Sequence, residues 1–432
     1  MPSNPTPQTV LLHFTGPDRP GITASLTQLL AESRAEILDI GQAVVLESLT
    51  LGMLIQLPDT VDFSLLQSDL IDRAGELGLH PTVAVIPPDQ PLVTRPNHVI
   101  VTVLGRTITA RHIAKVCNVI AKYGMNVDRI DKLSASLANP PEPQTPTNAC
   151  IEFALSGGLS GDLVGDLTRE SAIRADLLAL AQQFSIDIAF QHESIFRRNR
   201  RLFAFDMDST IIQAEVIDEL AKMAGVGEQV SRITESAMRG ELQFDESFTR
   251  RVALLKGLPA ERVYTLLDTI PMAEGAERLL QTLKLLGYKT AILSGGFTFF
   301  AHHLQQRLGI DHVRANQLEI VDGHVTGRVL PPIVNGARKA EFLREIAAAE
   351  GISLEQVVAV GDGANDIPML SIAGMGIAYR AKPVVRQQAA HSLSTLGLDG
   401  LLYLIGVRDH DLLPDALVPG PSVPQSLSPL VP

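Results

Sequence analysis

The apolar run Leu202-Phe203-Ala204-Phe205 passes directly into Asp206-Met207-Asp208-Ser209-Thr210, and no other junction constrains the fold so strongly. Four successive apolar residues read as a short buried strand. Two carboxylates and a hydroxyl pair then stand at its carboxyl end, where open α/β sheets place their ligands. A strand ending in Asp-x-Asp suits a carboxylate nucleophile, a second carboxylate for proton transfer, and a hard cation between them. From about 202 to 408 strand and helix patterns alternate, which implies a mostly parallel sheet. Residues 289–293 and 357–360 are two further buried strands. The mainly helical stretch 217–267 is too long for a simple crossover and reads as an inserted cap.

Three more elements offer complementary groups. Ser294-Gly295-Gly296 closes the second strand, before a helix starting near Phe297. A phosphoryl group fits at such a helix N-terminus. Lys339 lies near the start of a helix over 337–350, where a fixed ammonium would neutralise a phosphate and shield the nucleophile from anionic repulsion. Gly361-Asp362-Gly363-Ala364-Asn365-Asp366 ends a further strand. Its glycines admit close backbone approach, and Asp362 can complete an oxygen shell for Mg²⁺. Each piece alone has an ordinary reading: a helix cap for Asp208 or Asp362, a turn for Ser294-Gly295-Gly296, a surface position for Lys339. Their succession in this order, at strand ends and helix starts, points to one site.

The set Asp-x-Asp-x-Thr, Ser, Lys, Gly-Asp-x-x-x-Asp resembles the haloacid-dehalogenase superfamily of phosphatases. The resemblance implies an α/β, Rossmann-like parallel-sheet core with a helical cap, over residues 200–408 with the cap at about 217–270. It implies Asp206 as nucleophile, forming an aspartyl-phosphate, and Asp208 as proton donor and then activator of water. Mg²⁺ would be held by the Asp206 carboxylate, the Asp208 carbonyl and Asp362. Further residues narrow the likeness: Glu215-Val216-Ile217-Asp218, the stretch from Ala237 to Phe244, and Ser247-Phe248-Thr249-Arg250-Arg251-Val252. These resemble the phosphoserine phosphatases within that superfamily. By that resemblance Glu215 binds the substrate ammonium and Arg251 its carboxylate. Met238 and Phe244 close over the substrate, Ser294, Gly295 and Lys339 hold the phosphate, and Asn365 also contacts the ligand. A zwitterion carrying a phosphate needs one such carboxylate and one such guanidinium, and a bidentate Arg–carboxylate pair adds geometric selectivity. The expected reaction is hydrolysis of O-phospho-L-serine to L-serine and phosphate, the last step of serine biosynthesis. Two alternatives share parts of this pattern: a phosphatase for another small phosphomonoester or for phosphoserine in proteins, and an amino-acid-sensing regulatory protein with a silent catalytic half.

The N-terminal third holds a degenerate repeat. Its first copy, over 8–90, reads βαββαβ, with the turn Gly16-Pro17-Asp18-Arg19-Pro20-Gly21 before a helix that opens at Ile22. The second copy, over 96–192, has a shorter turn, Gly105-Arg106-Thr107, before Ile108-Thr109-Ala110. Order and turn resemble the ACT domain, an α+β module that binds amino acids. A Gly-rich turn before a helix N-terminus suits an amino-acid carboxylate. Gly16, Asp18 and Gly21 are the candidate regulatory residues, with Gly105 as counterpart, and L-serine is the expected effector. Such modules often pair across subunits, so a homodimer is expected.

Composition sets the outer bounds. The net charge of −12 argues against non-specific nucleic-acid binding. The basic run Arg197-Arg198-Asn199-Arg200-Arg201 then reads as a solvated linker or as interdomain ion pairing. Two cysteines, Cys117 and Cys150, cannot build a disulfide framework or a four-ligand zinc site. His302 and His303 are adjacent on a predicted helix and do not share a face. No signal peptide and no run of about 18 apolar residues is seen, so a soluble, cytoplasmic protein is expected, with no membrane partner. A Pro-rich loop at 139–143 is expected to be mobile, and residues 409–432 to be a disordered tail.

Overall fold

The computed structural model describes residues 8–89, 99–135, 148–157 and 167–412. It divides into two compact units, residues 1–94 and residues 95–432.

In the first unit, alternation of apolar and polar residues makes a one-sided sheet. β1 (Gln8–Pro17) buries Val10, Leu12 and Phe14 and turns Leu11 outward. α1 (Ile22–Glu32) packs Ile22, Leu26 and Leu30 onto that buried face. β2 (Glu36–Val45) and β3 (Ser48–Leu57) follow, then α2 (Phe63–Glu76) and β4 (His80–Ile86). Asp62 caps α2 by accepting from the Ser64 N–H at 2.9 Å. The antiparallel strand order is β2-β3-β1-β4.

The second unit opens with the same topology. β5 (Val99–Gly105), α3 (Ala110–Lys122), β6 (Asn126–Lys132), β7 (Ala149–Ser156), α4 (Leu167–Phe184) and β8 (Asp187–His192) form a sheet ordered β6-β7-β5-β8. Corresponding strands take corresponding places in the two repeats. The expected loop at 139–143 lies outside the described residues. Unlike β1, β5 is buried at every position. Val99, Val101 and Val103 face the α3 and α4 side. Leu104, with Leu133, Cys150 and Ala189, instead joins the core of the catalytic domain. That seam is also polar. Asp187 accepts from the Ser394 and Thr395 N–H groups at 2.9 and 2.8 Å. Arg197, in the linker between β8 and β9, is fully buried and pairs with Glu152 of the second repeat, so this part of the basic run is an ion-paired linker.

The catalytic domain is built on seven strands. Its elements are β9 (Leu202–Phe205), α5 (Val216–Ala224), α6 (Gly227–Met238), α7 (Phe244–Ala253), α8 (Ala260–Tyr264), α9 (Leu266–Thr269) and α10 (Ala276–Leu285). There follow β10 (Lys289–Phe297), α11 (Thr298–Leu308), β11 (His312–Val321), β12 (His324–Leu330), α12 (Gly336–Ala349) and β13 (Val357–Gly361). α13 (Ile367–Ile372), β14 (Met375–Tyr379), α14 (Pro383–Gln388), β15 (His391–Leu393) and α15 (Leu401–Leu404) complete it. The strand order is β12-β11-β10-β9-β13-β14-β15, and every pair is parallel except the β11–β12 hairpin. β9 is the central strand. Its Phe203 and Phe205 enter one core layer while Leu202 and Ala204 enter the layer under α12 and α13. Helices α5 to α9 form the insertion after β9. The folded chain continues past Arg408, because Asp409 accepts from the Tyr403 hydroxyl at 2.7 Å. On α11, His302 engages Gln305 at 3.0 Å, while His303 lies edge-on to Phe300. Among the described residues no helix is long and apolar enough to cross a membrane.

Candidate active site

The sheet order brings the carboxyl ends of β9, β10 and β13 side by side. β9 delivers Asp206 and then turns sharply. Ser209 takes φ = 57°, a left-handed conformation costly for a residue with a Cβ. Its hydroxyl donates to Glu215 Oε1 at 2.8 Å, which ties that turn to the start of α5. The Asp206 carboxylate accepts from the Met207 N–H at 2.7 Å and pairs with the Lys339 ammonium at 2.9 Å.

Lys339 is fully buried on the first turns of α12. Its second partner is Asp366 Oδ1, at 2.7 Å. Burial works against its charge, but Asp206 and Asp366 outweigh that and hold its pKa above the ordinary lysine value. Asp366, the last residue of the Gly361–Asp366 loop, takes no role in the sequence reading beyond the motif. In the structure its other oxygen accepts from the Gly363 N–H at 2.9 Å. It therefore aims the lysine and closes the loop at once. A Cβ on Gly361 would lie 2.4 Å from Asp366, so that position admits only glycine.

Asp206, Asp362 and Asp366 each offer a carboxylate oxygen, all within 4.8 Å of one another. Both Asp366 oxygens are already engaged. Asp206 and Asp362 each keep one oxygen without a partner among the described residues. Asp362 is otherwise held only by a 3.3 Å contact from the Thr210 hydroxyl. Burial, then the charges of Asp206, Asp366 and Glu215, raise its pKa to about 8. Two buried carboxylates and a half-buried one beside one ammonium fit a divalent, oxygen-seeking cation such as Mg²⁺. The Asp208 carboxylate stands apart from this cluster. It accepts from the Val216 N–H at 3.3 Å. Burial first, then Glu215 and Asp206, push its pKa well above the usual carboxylate range, which suits a proton donor.

The β10 end supplies a cradle. Ser294 is fully buried, and its hydroxyl accepts from the Gly296 N–H at 2.9 Å. A Cβ on Gly296 would fall 2.4 Å from Asp208 Oδ2 and 3.1 Å from Ser294 Oγ. Glycine there lets the cradle and the proton donor approach each other. Asn316 on β11 holds the cradle from behind. Its amide donates to the Gly295 carbonyl and its oxygen accepts from the Val334 N–H, each at 2.8 Å. No motif marks this buried asparagine; only its position beside the loop does.

The cap contributes the other polar groups. Arg251 on α7 is half-buried and donates to Thr234 Oγ1 at 3.5 Å. It makes no ion pair among the described residues, and its Nε is unpartnered. Its neighbour Arg250, by contrast, pairs with Glu246 at 2.5 Å. Burial lowers the Arg251 pKa, while Asp218, Glu215 and Asp208 pull the other way. Burial also raises the pKa of Glu215. Phe244 stacks on Phe248, centroids 5.8 Å apart. A Cβ on Gly295 would sit 3.0 Å from Phe244 Cζ, so this ring lies over the cradle. Met238 is different: it is 64% exposed, at the rim beside Lys382. Asn365 backs onto α12, where a Cβ on Gly336 would meet its carbonyl at 2.7 Å. Asn335 caps α12 by accepting from the Arg338 N–H at 3.1 Å and donates to Asp245 of the cap at 3.0 Å. The lysine helix and the cap thus share one residue.

The candidate regulatory glycines lie in the repeats. Gly16 and Gly105 close β1 and β5, and a Cβ there would press on Leu79 and Ile186 respectively. They are structural counterparts. Gly21 has φ = 92° at the start of α1, and the Asp18 N–H donates to the Glu47 carbonyl at 2.8 Å.

Comparison with known proteins agrees with this geometry. Residues 203–371 match the haloacid dehalogenase-like hydrolase family, and residues 8–84 and 96–141 each match an ACT domain. The phosphoserine phosphatase SerB2 of Mycobacterium tuberculosis is 40% identical over 405 residues, covering 93% of this chain and 94% of that protein. A phosphoserine phosphatase of Streptomyces coelicolor is 40% identical over 424 residues, covering 96% of this chain and 98% of its own length. A HAD family hydrolase from Salmonella enterica serovar Typhi superposes with a TM-score of 0.59 at 33% identity, over 71% of this chain and 99% of that one. With likeness of this extent, and with a buried Asp–Lys–Asp centre under a helical cap, the chain belongs to the phosphoserine phosphatases of the haloacid dehalogenase-like hydrolases, with ACT domains ahead of the catalytic domain.

Proposed function

We propose that the chain hydrolyses O-phospho-L-serine to L-serine and phosphate by way of an aspartyl-phosphate on Asp206. The observation that carries this reading is the Arg251 guanidinium, half-buried in the cap with no carboxylate paired to it among the described residues. A substrate carboxylate completes it, and Glu215 receives the ammonium. An Asp206 oxygen attacks phosphorus as the bond to the serine oxygen breaks, and Asp208 gives that oxygen its proton. Asp208, now a carboxylate, takes a proton from water as the water attacks the phosphoryl group and frees Asp206. Ser294, Gly295 and Lys339 hold the phosphoryl oxygens, Asn365 contacts the ligand, and Met238 and Phe244 cover it. Mg²⁺, bound through Asp206, the Asp208 carbonyl and Asp362, would offset charge on the transferring group.

The test is phosphate release from L-phosphoserine beside phosphothreonine, a phosphopeptide and an aryl phosphate, with and without chelator. Arg251→Ala is expected to lower kcat/KM for L-phosphoserine by about 10²–10³-fold, as for loss of one partner of a buried charge pair. The aryl phosphate should change far less. An equal loss on both substrates would remove the substrate assignment and leave the phosphatase chemistry standing.

The turn Gly16–Gly21 supports a second part of the proposal: L-serine binds the ACT domains and restrains the enzyme, a feedback by the end product of serine biosynthesis. Inhibition by L-serine should disappear in a chain lacking residues 1–94, a compact unit by themselves. Inhibition that persists and competes with substrate would instead locate serine in the active site. The chain acts in the cytoplasm as a homodimer. β2 is exposed along its whole length, with Ile40, Val44 and Val45 uncovered, and a second copy would cover such a strand. Light scattering at monomer mass would exclude the dimer.

A further inference from the structure

The strand that ends in the cradle falls out of step with its neighbour. β10 and β11 pair in parallel with Leu293 opposite Arg314, and the next pair is Phe297 opposite Asn316. β10 advances from 293 to 297 while β11 advances only from 314 to 316, so Ser294, Gly295 and Gly296 bulge out of the ladder. A bulge takes ladder partners from backbone groups, and a buried peptide left without one is costly. The Asn316 side chain, 1% exposed, stands in for the ladder. Its amide donates to the Gly295 carbonyl and its oxygen accepts from the Val334 N–H, each at 2.8 Å. A carbonyl only accepts and a backbone N–H only donates, so these two partners fix which way the amide faces.

The two bonds end on different parts of the site. Gly295 and Gly296 share a planar peptide unit whose oxygen and N–H point in opposite directions. Asn316 holds the oxygen, and the N–H donates to Ser294 Oγ at 2.9 Å. The peptide is therefore held at both ends, and the Ser294 hydroxyl with it. Val334 immediately precedes Asn335, whose carbonyl accepts from the Lys339 N–H at 2.9 Å and whose side chain caps α12. One buried side chain thus spans the gap between the end of β10 and the start of the helix that carries Lys339.

We propose that Asn316 is a positioning residue of phosphoryl transfer. It sets the plane of the Gly295–Gly296 peptide and the separation of that peptide from the Lys339 helix. It governs how the phosphoryl group is held and leaves the serine end of the substrate alone. Glu215 and Arg251 bond instead to Ser209 and Thr234. The proposal rests on the reading of Ser294–Gly296 as the phosphoryl cradle and not on which alcohol the phosphate leaves.

The test is steady-state kinetics of Asn316→Asp and Asn316→Ala in the full chain with Mg²⁺, with inorganic phosphate as inhibitor. Asn316→Asp keeps the acceptor for Val334 and loses the donor to Gly295. Asn316→Ala loses both and leaves room for a water between them, so it serves if the aspartate variant does not fold. kcat/KM is expected to fall about 10–10²-fold, by the same factor for L-phosphoserine and for an aryl phosphate. The inhibition constant of phosphate should rise about tenfold. That constant does not depend on how much of the enzyme is folded, so a merely destabilised protein would leave it where it was. Arg251→Ala, in contrast, should keep the phosphate inhibition of the parent while losing L-phosphoserine. Phosphate inhibition within about twofold of the parent in both variants would overturn the proposal, as would a loss confined to L-phosphoserine. The aryl phosphate and inorganic phosphate decide it by themselves, even where L-phosphoserine proves not to be the substrate.

Discussion

Asp206→Asn is expected to lower kcat by about 10⁴-fold or more, the scale seen when a covalent nucleophile is removed. The amide keeps the shape of the carboxylate but not its nucleophilicity. Lys339 retains Asp366 at 2.7 Å, so the ammonium stays in place. One of three clustered carboxylates also loses its charge, which relieves repulsion within the cluster. The variant should therefore melt no lower than the parent in chelator while losing turnover and any acid-stable phosphoryl label on the protein. Residual turnover within about tenfold of the parent would mean that water attacks the phosphate directly and that Asp206 is not the nucleophile.

Lys339→Met is expected to strike stability as well as activity. The ammonium is fully buried between Asp206 and Asp366, and methionine leaves both carboxylates without a cation. Breaking a buried ion pair by removing one partner costs about 3–5 kcal/mol. The pairing with Asp366→Asn separates the two effects. The double variant should recover much of the lost stability, because a neutral amide no longer needs the ammonium. It should remain inactive, because the ammonium then no longer meets the phosphoryl oxygens. Equal destabilisation of single and double variants would show that the lysine is held by packing around its hydrocarbon stem instead.

Much of this molecule is legible from the chain because its chemistry sits at the ends of strands. An apolar run followed by Asp206-Met207-Asp208 announces both a strand and its reactive end, and Gly361–Asp366 repeats the logic. The turn-helix pattern of the repeats is local too, so the succession βαββαβ is readable along the chain, whereas the strand orders β2-β3-β1-β4 and β6-β7-β5-β8 come from the folded structure. What escapes is what depends on partners remote in sequence. Asn316 reaches back 21 residues to Gly295, and nothing near it distinguishes it from any polar residue in a strand. Asn335 carries no motif, and its task appears only when Asp245, 90 residues earlier, is found against it. Asp366 belongs to a visible motif, yet its task follows only from Lys339 lying 2.7 Å away. The antiparallel β12 is hidden for a different reason: a hairpin on the edge of a parallel sheet has the same apolar alternation as any other strand.

The continuous core between the second repeat and the catalytic domain bears on how such a protein can be assembled over evolutionary time. Leu104, Leu133, Cys150 and Ala189 are buried in one cluster with Phe203, Leu396 and Leu401, and Arg197 is sealed in with Glu152. Cutting the chain at about residue 200 would lay that apolar layer bare and leave the buried Asp187 carboxylate without its Ser394 and Thr395 donors. The second repeat is therefore tied to the enzyme and travels with it through duplication and recombination. The first repeat, whose core of Val10, Leu12, Phe14 and their neighbours is closed on itself, is the portion free to be gained, lost or exchanged.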